Sequence, residues 1–425
     1  MRKKIKVEDL KIGMIVVDVG RSWLNHPFLT KQKRIGSTKD IQRLRDYGIR
    51  EVCVEGDEET DAGLGQLGEE TNMFSQEDVS AKKEKEETYF PSSTQGDLGQ
   101  EAALRQELKI ASAVQQEAHS LVRDYMQDIR AGKNIESQKV KRVVNQMIDS
   151  IFRNVEALTS LTRIKGYDEY TFVHSINVCI LCLALGRHLD FGPAEMQQLG
   201  IGALMHDAGK MKVPPHILNK RGKVTEEEYE EIRKHPLYTL EVLEKAGGIP
   251  ESSIMMALQH HERYNGKGYP YGLAGDQISR FGQIVAIIDV YDAITSDRCY
   301  KAGIPPYEGI KRIYEWGKSD FSPVLVEKFI QAIGIYPTGT LVQLDTNEVG
   351  IVYSINREKI LRPKVLLLFK DTSWRYSKPL LVDLMQNQGE SPSCQRTIVK
   401  PLDPQQLNIQ VEKYLPQPPS PGQFC

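Results

Sequence analysis

Two adjacent histidines, a carboxylate, and then a loop with two glycines and a proline run from His260 to Pro270: His260-His261-Glu262-Arg263-Tyr264-Asn265-Gly266-Lys267-Gly268-Tyr269-Pro270. This is not core-packing chemistry. Neighbouring helix residues point about 100° apart, so one helix can aim both rings at a common centre only where it ends. The fold must therefore bring a helix end against whatever the two imidazoles bind. Seven of the nine histidines lie between residues 174 and 261, with His206-Asp207 upstream and Asp289 downstream of the run. Imidazole and carboxylate together suit iron, manganese or zinc, whereas calcium and magnesium prefer oxygen alone. The pattern points to a multinuclear metallohydrolase.

A chain of 425 residues has room for roughly two to four domains. Its 40% apolar and 26% charged content is that of an ordinary globular protein. A net charge of −2 gives no electrostatic reason to expect nucleic-acid binding. The basic start Met1-Arg2-Lys3-Lys4-Ile5-Lys6 has no apolar segment behind it, so it does not read as a signal peptide. The longest apolar stretch, Ile176 to Leu185, is far short of the roughly 20 residues that span a membrane. The expected location is the cytoplasm, with no membrane partner. Six scattered cysteines show no disulfide spacing. Cys179-Ile180-Leu181-Cys182 lies in an apolar helical run with no second pair, so both thiols are expected to be buried hydrophobes.

Along the chain, residues 1–56 read as a small α+β unit. Lys6 to Val19 alternates around Gly13 as in a hairpin, Thr38 to Leu44 reads as a short helix, and Tyr47 to Val54 as a helix stop followed by a strand. Residues 57–100 are acidic, rich in Gly, Ser and Gln and poor in apolar residues, the composition of a flexible linker. From about 101 the period changes. Leu104, Leu108, Ala111, Val114 and Ala118 form an amphipathic stripe, and a second helix is predicted over 137–163 through Val140, Val143, Val144, Met147, Ile148, Ile151 and Leu158. These connector helices (101–165) either pack on a catalytic core or form a coiled-coil seam of a homodimer. The region 166–337 is helical, with starts at Thr225-Glu226-Glu227-Glu228 and Pro250-Glu251. Short β-like runs make 338–414 a β-rich appendage, and 415–425 has the composition of a disordered tail. The fold class is mainly α, with the small α+β unit before the helical core and the β appendage after it.

His206-Asp207-Ala208-Gly209-Lys210 follows an apolar segment. An adjacent His and Asp at a helix end can serve one metal with the ring and bridge two with the carboxylate. Two cations about 3.5–4 Å apart can generate hydroxide at neutral pH and clamp both oxygens of an in-line displacement. Gly209 frees the backbone locally, and Lys210 adds a fixed cation for charge developing on a phosphate. His235 precedes Pro236 between two helices; alone, it reads as a helix-end histidine facing the negative dipole. Asp289 and Asp292 share a face of the apolar helix Phe281 to Ile294, where a carboxylate is costly to bury without a cation. His174 opens an apolar helix, where a satisfied core histidine is the alternative to a ligand.

In this order, these motifs resemble the HD-GYP family, a branch of the HD phosphohydrolases. The likeness covers roughly 150–340 and includes His206-Asp207, the run ending Gly268-Tyr269-Pro270, and Tyr291-Asp292-Ala293-Ile294-Thr295-Ser296-Asp297-Arg298. Residues 1–56 resemble a small domain of unknown function that often precedes this core in bacterial proteins. The resemblance implies an all-helical HD core and hydrolysis of cyclic di-GMP to pGpG and then, in many members, to GMP, through a metal-bridging hydroxide. It implies His174, His206, Asp207, His235, His260, His261 and Asp289 as metal ligands, with Asp207 and Lys210 as the catalytic pair. Lys210 would assist at the scissile phosphate, while Arg298 and Lys301 would contact phosphates or guanine. The Gly268-Tyr269-Pro270 loop would handle substrate and dock GGDEF diguanylate cyclases. Trinuclear members carry a glutamate four residues before the first ligand histidine. Here that position is Tyr170, with Glu169 one residue off, so a binuclear iron or manganese centre is expected, with zinc, nickel and cobalt also compatible. Asn265 and Cys299 depart from the family pattern without removing a ligand. The competing reading is a catalytically silent cyclic di-GMP receptor or GGDEF-docking module; the complete ligand set and Lys210 argue for the enzyme. A hydrolase of mononucleotides or alarmones conflicts with the full loop motif. The first 100 residues hold no ligand-type constellation and are expected to be regulatory.

Overall fold

Alternation of apolar and polar residues at the two ends of the chain, and a helical period between them, divide the structure into sheet, helices and sheet. The structure, a computed structural model, describes residues 2–12, 14–18, 33–35, 38–46, 51–55, 98–162, 170–220, 222–297, 303–371, 375–386 and 396–415. The chain forms two units, Met1–Lys83 and Glu84–Cys425.

The first unit is a four-stranded antiparallel sheet with one helix. Strands β1 (Arg2–Lys6), β2 (Ile15–Asp18), β3 (Lys33–Arg34) and β4 (Glu51–Glu55) lie in the order β1-β4-β2-β3, with α1 (Thr38–Asp46) between β3 and β4 in the chain. The hairpin expected over Lys6–Val19 does not form. β1 and β2 both pair with β4, through Ile5↔Val52 and Val16↔Val54, because the apolar β4 is the better centre: it satisfies backbone groups on both its edges. Val16, Ile35, Leu44, Val52 and Val54 close this small core.

The second unit begins with α2 (Leu98–Arg130), α3 (Ser137–Arg153) and α4 (Val155–Leu161). The helix expected over 137–163 is thus two helices. Asn154 breaks it in an extended conformation, and its Oδ1 accepts from Glu156 N at 2.9 Å and Ala157 N at 3.4 Å to cap α4. The stripes of α2 and α3 are spent inside the chain's own core: Leu108, Ala111, Val140, Val144 and Met147 are fully buried. Buried Glu107 ties the two helices, taking Arg153 Nε at 2.7 Å and Ser150 Oγ at 2.8 Å. The same core joins α5 (Tyr170–His188), α6 (Pro193–Met205), α7 (Pro215–Leu218), α8 (Glu226–Arg233), α9 (His235–Ala246), α10 (Glu251–Gln259), α11 (Arg280–Thr295), α12 (Pro306–Trp316) and α13 (Pro323–Ile333). Thr225 and Pro250 are the N-caps of α8 and α10, as their sequence signals require. Cys179 and Cys182 are buried free thiols whose burial pushes their pKa values up. Among the described residues, no helix is long and apolar enough to cross a membrane.

Strands β5 (Leu341–Leu344), β6 (Val349–Ser354), β7 (Lys364–Phe369), β8 (Arg375–Asp383) and β9 (Ile398–Leu402) form an antiparallel sheet in the order β8-β7-β6-β5-β9. Alternate residues part to its two faces, Ile351, Leu366 and Leu368 to one and Val352, Val365 and Leu367 to the other. Both faces are covered, so β6 is buried throughout. The linker expected over 57–100 lies outside the described residues up to 97, and α2 takes its last three positions. The tail from 416 also lies outside them.

Candidate metal centre

Helix ends converge here, as the adjacent histidines demanded. His206 is the C-cap of α6 and His260 that of α10, while His235 opens α9 directly behind α8. Each of the three uses Nδ1–H in the same way, donating to the carbonyl three residues back: His206 to Ala203 O (2.8 Å), His235 to Ile232 O (2.7 Å), His260 to Ala257 O (2.6 Å). The last carbonyls of a helix lack intrahelical donors. The ring fills that need, and the bond fixes the tautomer so that Nε2 is left with its lone pair facing the centre. His174 lies in the first turns of α5 and is held by Asp292, whose Oδ2 is 2.7 Å from Nδ1. Asn177 Nδ2 and Ser296 Oγ, both 3.1 Å from Asp292 Oδ1, fix that carboxylate.

The seven expected ligands come together as two histidine groups with Asp207 and Asp289 between them. Asp207 Oδ2 faces His206 Nε2 (3.4 Å) and His174 Nε2 (3.8 Å); Oδ1 faces His235 Nε2 (3.4 Å) and His260 Nε2 (3.6 Å). Asp289 Oδ1 lies 3.0 Å from His174 Nε2 and 3.9 Å from His206 Nε2, and its Oδ2 lies 3.8 Å from His261 Nδ1. The donor atoms of His174, His206 and Asp207 fall within 4.8 Å of one another, as do those of His235, His260 and His261.

These residues fit divalent metal ions. His206 Nε2 and Asp207 Oδ1 are buried without a hydrogen-bond partner, an arrangement that costs free energy unless a cation takes the lone pairs. His235 Nε2 and His260 Nε2 lie 3.1 Å apart with both Nδ1 protons already committed, so two lone pairs face each other. Burial, with Lys210 nearby, pushes the His235 pKa down to about 3; burial also lowers His260 and His261. The second group is therefore neutral imidazole, the ligand form. Burial opposes charge on His174 too, but the Asp289 and Asp292 carboxylates outweigh it and raise its pKa to about 10. Burial likewise opposes charge on Asp207, yet Lys210 and His206 hold its carboxyl well below the usual range.

Lys210 Nζ reaches Asp207 Oδ2 at 2.6 Å from a 3₁₀ turn over Ala208–Lys212. Gly209 serves this turn differently from the local backbone freedom its sequence suggests. A Cβ there would meet His235 O at 2.2 Å and Thr239 N at 2.3 Å, so glycine is required by the close approach of α9. Thr239 Oγ1 accepts Gly209 N at 2.9 Å and lies 3.2 Å from His206 O, clasping the turn to the same helix. Glu262 is fully buried but faces away from ligand duty: its oxygens accept Tyr271 N (2.8 Å) and Leu273 N (3.0 Å) and hold the Gly268-Tyr269-Pro270 loop. A Cβ on Gly268 would strike Glu262 Cα at 2.4 Å. Asp292, Asn177, Thr239 and Glu262 are functional positions to which sequence reasoning gave no role; for Asp292, its place three residues after Asp289 was the available signal. Arg298 and Lys301 lie outside the described residues, as do Glu169 and the Tyr170 side chain.

Residues 145–323 match the HD domain, residues 2–140 a domain of unknown function (DUF3391), and residues 341–410 a KOW domain associated with the HD domain. A cyclic di-GMP phosphodiesterase of Pseudomonas aeruginosa is 37% identical over 88% of this chain and 86% of its own length. A cyclic di-GMP phosphodiesterase of Thermotoga maritima is 29% identical over 53% of this chain and 61% of its own. A 3′3′-cGAMP-specific phosphodiesterase of Vibrio cholerae is 37% identical over 32% of this chain and 29% of its own.

Proposed function

Because the chain belongs to the HD-GYP family of HD-domain phosphohydrolases, we propose that it hydrolyses cyclic di-GMP to pGpG, and onward to GMP, at a two-metal centre. The observation that carries the reading is Asp207, whose two oxygens face different histidine groups. A pair of divalent metals, when bound, supplies Lewis acidity and water activation at neutral pH. His174, His206, Asp289 and Asp207 Oδ2 would hold one, and His235, His260, His261 and Asp207 Oδ1 the other. Iron or manganese is the proposed pair, and zinc, nickel and cobalt also suit this donor set.

The remaining work falls to the chain itself. Lys210, a quarter exposed, is aimed along the centre, where its ammonium meets the scissile phosphate and the oxygen that leaves it. The loop held by Glu262 walls one side of the site. Through that loop GGDEF-domain cyclases would dock, which places substrate synthesis beside its destruction. A silent receptor would have no use for a complete donor set and a lysine beside it.

The test is to load purified protein with iron or manganese, incubate it with cyclic di-GMP and, separately, 3′3′-cGAMP, and resolve the products. Release of pGpG from cyclic di-GMP is expected. Tight binding of cyclic di-GMP by the metal-loaded protein without turnover would replace the enzyme with the receptor.

A further inference from the structure

His261 differs from the other ligand histidines. His206, His235 and His260 each have a ring nitrogen hydrogen-bonded to a carbonyl, and His174 has one bonded to Asp292. Among the described residues no hydrogen bond holds either ring nitrogen of His261; its Nδ1 meets only Asp289 Oδ2, at 3.8 Å. It follows His260, the C-cap of α10. Its ring instead stacks on Tyr269, with centroids 4.7 Å apart and planes 30° from parallel. The Tyr269 ring is backed in turn by the Arg233 guanidinium, 4.8 Å from its centroid. Glu230 holds Arg233 Nη1 at 2.7 Å, and Tyr269 N donates to His261 O at 3.2 Å.

We infer that Arg233 is a positioning residue: with Glu230 it presses the Tyr269 ring against His261 and so orients the one ligand histidine that no ring hydrogen bond orients. A stack can do this because aromatic pairs and cation–π contacts have preferred geometries. The inference gives Tyr269 a role that its ring fulfils and its hydroxyl does not. It also explains why α8, which donates no ligand, ends where it does: Arg233 is its last residue, two before His235.

The inference rests on the two-metal reading and is tested on full-length protein without substrate. Wild type, Arg233→Ala, Arg233→Lys, Tyr269→Ala and Tyr269→Phe are loaded with manganese, and metal retention is measured against increasing chelator, with circular dichroism as the check on folding. Orienting contacts around a metal ligand typically change affinity about 10–100-fold. Arg233→Ala and Tyr269→Ala are expected to keep one metal as tightly as wild type and to lose the other at about 10-fold lower chelator or less. Tyr269→Phe should match wild type, and Arg233→Lys should recover most of the loss. Wild-type retention in folded Arg233→Ala, or in folded Tyr269→Ala, overturns the inference alone. So does a loss in Tyr269→Phe as large as in Tyr269→Ala, because the hydroxyl would then be the active part. Wild-type protein that held fewer than two metals would overturn the two-metal reading and this inference together.

Discussion

At the residue scale, Asp207 and Lys210 are 2.6 Å apart yet should separate cleanly in experiment. Asp207 faces both histidine groups, each oxygen within 3.8 Å of two ring nitrogens, so Asp207→Ala should abolish binuclear metal binding, which elemental analysis of the purified variant would show. Full metal content in that variant would remove its bridging role. A protonated lysine cannot be a ligand, so Lys210→Ala should retain its metals and lose rate. Removing one preorganised cation or donor of this kind costs on the order of 10²–10³ in turnover. Cyclic di-GMP hydrolysis at saturating substrate, with metal content measured on the same sample, checks this. The candidate ligands were legible in the sequence because clustered His and Asp residues have little use in a core, and the full set followed from the family resemblance. The orienting groups were not. Asp292 bonds His174 across 118 positions of sequence, and the Nδ1 bonds to carbonyls exist only once helix ends are known.

At the element scale, the site depends on how closely a short turn approaches a helix. Gly209→Ala would drive a methyl group into the backbone of α9 at 2.2–2.3 Å, and backbone at a helix start cannot step aside as a flexible side chain can. The turn carrying Lys210 should move away from Thr239, with lowered thermal stability and weakened metal retention; a variant with wild-type values for both would show that the turn can relax. Sequence composition suggested a glycine there for backbone freedom, and only the packing gives the real reason. The same limit explains the hairpin that does not form, since pairing partners depend on β4, more than thirty residues away. In the C-terminal sheet, Glu348 accepts from Arg396 (2.6 Å), Thr346 (2.6 Å) and Tyr376 (2.6 Å). Burial opposes its charge, but these bonds outweigh it and hold its pKa below the ordinary value. Its contribution to stability is therefore complete above the unfolded value of about 4.3 and is lost as pH falls through the lower folded one. Glu348→Gln should lower stability at neutral pH by about 1–3 kcal/mol and flatten that acid dependence in thermal melts.

At the scale of the whole molecule, the question is where the catalytic unit begins. The matched HD domain starts at residue 145, but the core does not. α2 lies wholly before it, yet contributes Leu108, Val122, Tyr125 and Met126 to the same buried cluster as α5 and α6. Tyr125 Oη donates to Leu204 O at 2.8 Å, two residues before the ligand His206. Arg130 Nη2 reaches Met211 Sδ at 3.6 Å, beside Lys210. The connector is thus the back wall of the metal centre. Burying one large apolar side chain is worth about 1.5–3 kcal/mol, and a whole domain is stable by only about 5–15 kcal/mol. Losing several such side chains at once exceeds what the remaining helices can absorb. A fragment of residues 98–425 should therefore fold, retain metal and cleave cyclic di-GMP, because it keeps α2 entire. A fragment of residues 137–425 should be insoluble or fail to bind metal, since it bares the α3, α5 and α6 faces and leaves the His206 strut empty. Equal metal content and activity in the two fragments would show that α2 only covers the core. An inert but folded and metal-loaded 98–425 fragment would show that the N-terminal unit contributes to the reaction itself.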